Sequence, residues 1–267
     1  MEIKGETNVK KRITLMLIVL LVSVVAVFAQ ATTEERVGII SAMDNEIKLL
    51  LENAEIDYID SFGGIDFNVG TLCGKDVIIV KAGIGKVLAA SCAATLLCRY
   101  NITDVIFTGI AGGVGDQTNV LDVVIGDNLV QHDYGQVSLD GFVWEPASGG
   151  DEQGIFTCDP ELVRKAYDAS VSVVGSDHAF QGTIATGDQF IASDWYVKEL
   201  QERFNALACE MEGCAVAAVC TQYDVPFVVI RTMSDKADGL AHESMSNMGD
   251  IAADNSSKIV MELLKAL

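Results

Sequence analysis

Short apolar runs rich in Val and Ile alternate with stretches of helical spacing along most of this chain, and that alternation leaves few folds open. Arg36 to Met43 reads as a buried strand, and Asp44 is placed to cap a helix carrying Ile47, Leu50 and Leu51. Phe67–Leu72 and Lys75–Ala82 read as a hairpin turned at Gly74-Lys75. Gly83-Ile84-Gly85 then opens a helix from Lys86 to Tyr100. Asp104–Thr108 is a short strand ended by Gly109, and Val123–Ile125, Thr183–Thr186 and the wholly apolar Phe227–Ile230 continue the series. Helices are expected over Pro160–Ser172, Ser193–Phe204, Glu212–Gln222 and Met248–Leu267. The order predicts an α/β fold: a single domain with a central mixed, mostly parallel sheet flanked by helices. No linker, repeat or low-complexity stretch divides residues 32–267, so they form one domain.

Half of the 267 residues are hydrophobic, enough for a sizeable core. A formal net charge of −20 repels phosphate backbones and anionic lipid, which excludes nucleic acid as a partner. A small molecule or a second copy of the chain is expected instead. The seven cysteines form no CxxC pair and the three histidines lie far from them, so no metal-ligand spacing is present and no metal or cofactor is expected. Most of those cysteines read as small buried hydrophobes.

The first residues are set apart from the domain. Lys10, Lys11 and Arg12 precede an almost unbroken apolar run from Ile13 to Ala29, and Ala29-Gln30-Ala31 supplies a small-x-small cleavage site. Residues 1–31 therefore read as a signal peptide, with export to the periplasm or beyond and no stable membrane span after cleavage. An uncleaved signal anchor and an ordinary first helix are the alternatives.

In open α/β sheets ligands gather at the carboxyl ends of strands. Glu46, Gly109–Gly113, Asp188-Gln189-Phe190, Glu210, Glu212 and Ser234-Asp235 all follow candidate strands there. A solvated cap explains any one of these acids; their joint placement suggests a metal-free acid–base site. The glycines fit tight strand-to-helix turns as well as ligand contact, and Phe190 fits a core as well as a binding face.

Six stretches carry a resemblance. They are V-G-I-I-S-A-M-D-N-E at 37–46, A-G-I-G-K-V at 82–87, T-G-I-A-G-G at 108–113, A-T-G-D-Q-F-I at 185–191, E-M-E-G at 210–213 and R-T-M-S-D-K-A-D at 231–238. In this order, across nearly all of residues 36–267, the chain resembles the 5'-methylthioadenosine/S-adenosylhomocysteine nucleosidases of the nucleoside phosphorylase superfamily. The resemblance implies hydrolysis of the N-glycosidic bond of those adenine nucleosides without a cofactor. It implies that Glu46 is the general base, that Arg231 helps to hold the attacking water, and that Asp235, placed by Ser234, is the acid facing adenine N7. Glu212 then binds the ribose hydroxyls, Met211 lies against the sugar, Phe190 stacks on adenine and the Ile191 backbone reads the purine edge. Met43 and Ile84 line the ribose and 5'-substituent pocket. An Asp has an ordinary pKa of about 3.9, so a donor at Asp235 requires an apolar or carboxylate-rich setting that raises it. Ile110 departs from the family, which often has serine there, and Gln189 is a second position where family behaviour is not assumed.

Phosphorylases must grip a phosphate dianion, usually with several arginines. Of the five arginines after residue 31, only Arg231 follows a candidate strand, and the GDPxR-like loop of bacterial phosphorylases is absent, so water is the expected nucleophile. The alternatives are a futalosine-type nucleosidase and an exported nucleoside-binding or storage protein of the same fold. The resemblance also implies a homodimer, for which His132–Trp144, with Tyr134, Phe142 and Trp144, is the candidate contact.

Overall fold

The computed structural model describes residues 34–267, so the expected signal peptide at 1–31 lies outside the described residues. Strand β1 (Glu35–Ser41) leads into helix α1 (Asp44–Asn53). Asp44 does not cap this helix: its carboxylate takes a 2.5 Å bond from Lys81 Nζ. Glu46 instead reaches back from the first turn and accepts from the Met43 N–H, the orphan donor of the helix start.

Strands β2 (Glu55–Phe62), β3 (Ile65–Leu72) and β4 (Lys75–Lys81) form an antiparallel meander. Leu72 pairs with Lys75, which puts the turn at Cys73-Gly74, one residue earlier than the sequence suggests. Both turn residues have positive φ, 52° and 79°, the twist a two-residue hairpin loop needs. Strand β2 was not expected. It is an edge strand with most side chains exposed, so it lacks the apolar alternation that marks a half-buried strand.

Helix α2 (Lys86–Arg99) precedes β5 (Asn101–Gly113), and β6 (Val123–Gln131) is followed by the small hairpin β7 (Gly135–Ser138) and β8 (Gly141–Trp144) and by β9 (Ile155–Thr157). Then come α3 (Pro160–Val174), β10 (Ala179–Thr186), α4 (Asp194–Phe204), β11 (Ala206–Glu210), α5 (Gly213–Tyr223), β12 (Phe227–Asp235) and α6 (Ala241–Ala266). Asp159 caps α3 by accepting from the N–H groups of Glu161 and Leu162 at 3.0 and 2.9 Å, with Pro160 in the first turn.

The sheet runs β11-β10-β6-β12-β5-β1-β4-β3-β2. Its centre is parallel, except that β12 runs antiparallel to β6, and the β2–β3–β4 edge is antiparallel. Strand β11 also pairs back to the end of β5, Ala208 with Gly113 and Cys209 with Gly112, so five strands close on themselves. Helices α1, α3 and α6 pack as one group and α2 with α5 as another, covering the sheet. The expected mixed, mostly parallel α/β fold is what the chain adopts.

Two strands are longer than their apolar runs. β5 continues from Thr108 through Gly113, and β12 continues from Ile230 through Asp235. The Gly109–Gly113 stretch is thus extended sheet, not a turn. A methyl group on Gly109 would sit 2.3 Å from Glu46 Oε1 and 2.4 Å from Arg231 Nη1, so that glycine is required by close approach. Gly83 and Gly85 do make a turn, with φ of 94° and 98°.

Candidate active site

Six segments meet above the closed end of the sheet. The β1–α1 junction brings Ala42, Met43 and Glu46; β5 brings Ile110 to Gly112; β11 and the turn after it bring Cys209 to Glu212. Strand β12 brings Ser234 and Asp235, the loop after β10 brings Phe190, and α6 brings Met245. Together with Ile84 these residues surround one pocket. A smaller recess, bordered by Gln189, Phe190, Ile191 and Asp235, adjoins it.

Glu46 is buried, and its oxygens are committed to the main chain. Oε2 accepts from the N–H groups of Ala42 and Met43 at 2.9 and 2.8 Å, and Oε1 from that of Ile110 at 2.8 Å. Burial pushes its carboxyl above the ordinary value, while Arg231 and these three donors pull it back. Glu46 is therefore fixed in position and more basic than a solvated carboxylate.

Arg231 stands behind the pocket wall, 1% exposed, with its guanidinium over the Phe107 ring at 4.3 Å. It donates to Glu210 and to the Ile110 carbonyl, and lies 3.4 Å from Glu212 and 3.8 Å from Glu46. Three carboxylates share this one cation. Glu210 is the hub: besides Arg231 it accepts from the Thr186 hydroxyl and from the N–H groups of Glu212 and Gly213. Glu212 accepts from the Gly85 N–H at 2.8 Å. Burial, and after it the Glu210 charge, push the Glu212 carboxyl up to about 7.

Asp235 lies across the pocket. Its Oδ2 accepts from Ser234 Oγ at 2.7 Å and its Oδ1 from the Ala237 N–H at 2.8 Å. Burial raises its pKa against both hydrogen bonds, the direction the sequence required of a proton donor. Phe190 is 39% exposed, and its ring stacks on His242 at 4.4 Å between centroids and 29° between planes.

The structure thus gathers Met43, Glu46, Ile84, Phe190, Met211, Glu212, Ser234 and Asp235 around one pocket, with Ile191 at the adjoining recess and Arg231 behind the pocket wall. Ile110 keeps its N–H on Glu46, and its side chain packs with Ala252, Ala253, Met43 and Met245. Sequence reasoning missed Met245 and His242. Their helix starts seven residues before the apolar spacing that marked it, at Ala241. It placed Glu210 at a strand end without its role as hub; the Thr186 and Arg231 donors cross from two other strands and leave no local signal.

Fold and pocket define a member of the phosphorylase superfamily, whose family model matches residues 36–265. A 5'-methylthioadenosine/S-adenosylhomocysteine nucleosidase of Shewanella halifaxensis is 40% identical over 234 residues, covering 87% of this chain and all of that protein. The enzyme of the same name from Neisseria meningitidis, solved with methylthio-immucillin-A, is 38% identical with a TM-score of 0.80, covering 87% of this chain and 99% of its own. The native futalosine hydrolase of Helicobacter pylori is also similar: 30% identity, a TM-score of 0.76, and 87% and 98% of the two chains. This chain belongs to the 5'-methylthioadenosine/S-adenosylhomocysteine nucleosidase family.

Proposed function

We infer that the protein hydrolyses the N-glycosidic bond of 5'-methylthioadenosine and S-adenosylhomocysteine, releasing adenine and the 5-thio-substituted ribose. One observation carries this reading: a buried, main-chain-bound Glu46 and a buried, serine-bound Asp235 share one pocket with no uncommitted cation on its wall. Arg36, Arg99, Arg164 and Arg203 are paired elsewhere with Glu34, Asp60, Glu161 and Glu199. Arg231 is taken by carboxylates. A phosphate dianion has no partner in such a wall, whereas a water molecule does.

The proposed roles follow from chemistry. Asp235, held by Ser234, donates a proton to adenine N7 as the bond from the sugar C1′ to N9 breaks, so the base leaves neutral. Positive charge developing on the sugar is met by Glu212, which also holds the ribose hydroxyls, with Met211 against the ring. Water adds to C1′ and gives its proton to Glu46. Arg231 acts as a positioning residue through Glu46, Glu210 and Glu212. Phe190 stacks on adenine, the Ile191 backbone meets the purine edge, and Met43 and Ile84 border the ribose and 5'-substituent.

Incubation with 5'-methylthioadenosine in phosphate-free buffer, with adenine and sugar both followed, tests the reading. Equal release of adenine and methylthioribose supports it. Release only with added phosphate contradicts it, as does tight binding without turnover. A 6-oxopurine nucleoside run in parallel tests the futalosine-type alternative that the Helicobacter likeness keeps in view.

The same proposal extends to export and assembly. Residues 1–31 carry the features of a cleaved signal, and among the described residues no helix is long and apolar enough to cross a membrane. In the β7–β8 region Tyr134, Val137, Leu139 and Phe142 are exposed, which supports a dimer contact; Trp144 instead packs on Phe204. Sequencing the N-terminus of the exported protein and measuring its mass in solution test both.

A further inference from the structure

Phe190 sits on the Gly187–Ser193 connection, which has no regular secondary structure between β10 and α4. That connection is tied at four points. The N–H groups of Gly187, Asp188 and Ser193 donate to the Glu210 carbonyl, to Asp133 and to the Ala237 carbonyl at 3.1, 2.8 and 2.7 Å, and the Asp188 carboxylate accepts from the Lys86 N–H at 2.8 Å. None of these bonds fixes the Phe190 ring. The ring borders both the main pocket and the adjoining recess, yet its side chain is well exposed for an aromatic.

What the ring does meet is His242, in the first turn of α6, near-parallel at 4.4 Å. His242 borders neither the pocket nor the recess, so it lies on Phe190 from outside.

We propose that His242 is a positioning residue for base recognition: it backs Phe190 and holds the phenyl face parallel to the purine, so that α6 and the Phe190 connection close on the base together. The inference rests on the adenine reading of the pocket and names a residue that reading does not require. A planar aromatic against Phe190 supplies both dispersion and orientation, which an aliphatic side chain of similar volume supplies only in part.

The test is adenine binding by titration calorimetry on the whole protein, beside steady-state kinetics with 5'-methylthioadenosine. His242→Ala is expected to weaken adenine binding and raise KM about three- to tenfold, with kcat within about twofold of the parent. His242→Phe is expected to restore both, and His242→Leu to restore neither in full. Product inhibition by methylthioribose is expected to stay unchanged, because the sugar side of the pocket is untouched. Unchanged adenine affinity in His242→Ala would overturn the inference. So would equal rescue by Leu and Phe, which would mark a space-filling contact. Failure of the unaltered protein to bind adenine would overturn the reading beneath it, and the inference with it.

Discussion

Strands β5 and β12 lie side by side in the middle of the sheet, and each changes character halfway along. The lower half of β12 is Phe227-Val228-Val229-Ile230 and its neighbour in β5 is Val105-Ile106-Phe107, all buried and apolar. The upper half of β12 is Arg231-Thr232-Met233-Ser234-Asp235, buried just as deeply, against Gly109, Ile110, Ala111 and Gly112 of β5. Burial is the same in both halves and its consequence is opposite. Below, removing side chains from water stabilises the fold. Above, it desolvates carboxylates and raises their pKa values, a cost to stability that the lower halves offset. The two halves differ in what they are expected to lose when altered.

The largest expected effect belongs to the upper half. Asp235→Asn keeps an acceptor for the Ala237 N–H but has no proton to give, so kcat/KM is expected to fall about 10²–10⁴-fold. Thermal stability at neutral pH is not expected to fall, because the raised pKa of Asp235 means that its ionisation opposes folding. A melting scan beside the kinetics checks both.

The lower half is expected to behave in the reverse way. Ile106→Ala empties a fully buried site and is expected to cost about 2–5 kcal/mol of stability, read by urea unfolding. The folded fraction is expected to keep nearly normal turnover. A large loss of kcat with little loss of stability would erase the distinction between the halves.

At the boundary, Gly109→Ala is expected to cost both quantities. Its methyl group would meet Glu46 Oε1 and Arg231 Nη1, so activity is expected to drop tenfold or more and stability by about 1–3 kcal/mol.

The smallest effect is a pH dependence. Glu212 is pushed up to about 7, so its folded state binds a proton more tightly than its unfolded state. Its contribution to stability is present below the ordinary carboxylate value of about 4.3 and is lost as pH rises through 7. Glu212→Gln removes that loss. Its melting temperature relative to the unaltered protein is expected to climb between about pH 4.3 and 7 and then level off. A constant difference across that range would show that Glu212 ionises normally.

The sequence was most legible where burial and polarity agree. Phe227–Ile230 announces a central strand because four consecutive apolar residues suit a sheet covered on both faces. It was least legible where they part. Arg231 reads as the residue that stops that strand, since a charged residue rarely lies inside a core. Here three carboxylates hold it there, and they arrive from α1, β11 and the turn after it. Likewise T-G-I-A-G-G has the composition of a turn but runs on as strand, because Gly109 admits Glu46 and Arg231, and Gly112 admits Asp235 and Ala237, rather than a change of direction. The pocket residues that matched family motifs were found by residue. Met245 and His242 lie where α6 begins with Ala241-His242-Glu243-Ser244, polar enough to read as loop. The edge strand β2 was invisible for the opposite reason, having little to bury.

The pH profile of kcat/KM for 5'-methylthioadenosine tests the central claim most directly, since it asks whether the buried upper halves work through carboxyl groups of raised pKa. The structure predicts a bell. Its acid limb lies above the ordinary carboxylate range because Glu46 and Glu212 must be ionised, and its basic limb reflects loss of the Asp235 proton, so that Asp235→Asn removes the basic limb. A flat profile from about pH 5 to 9, or a basic limb that survives in Asp235→Asn, would contradict it.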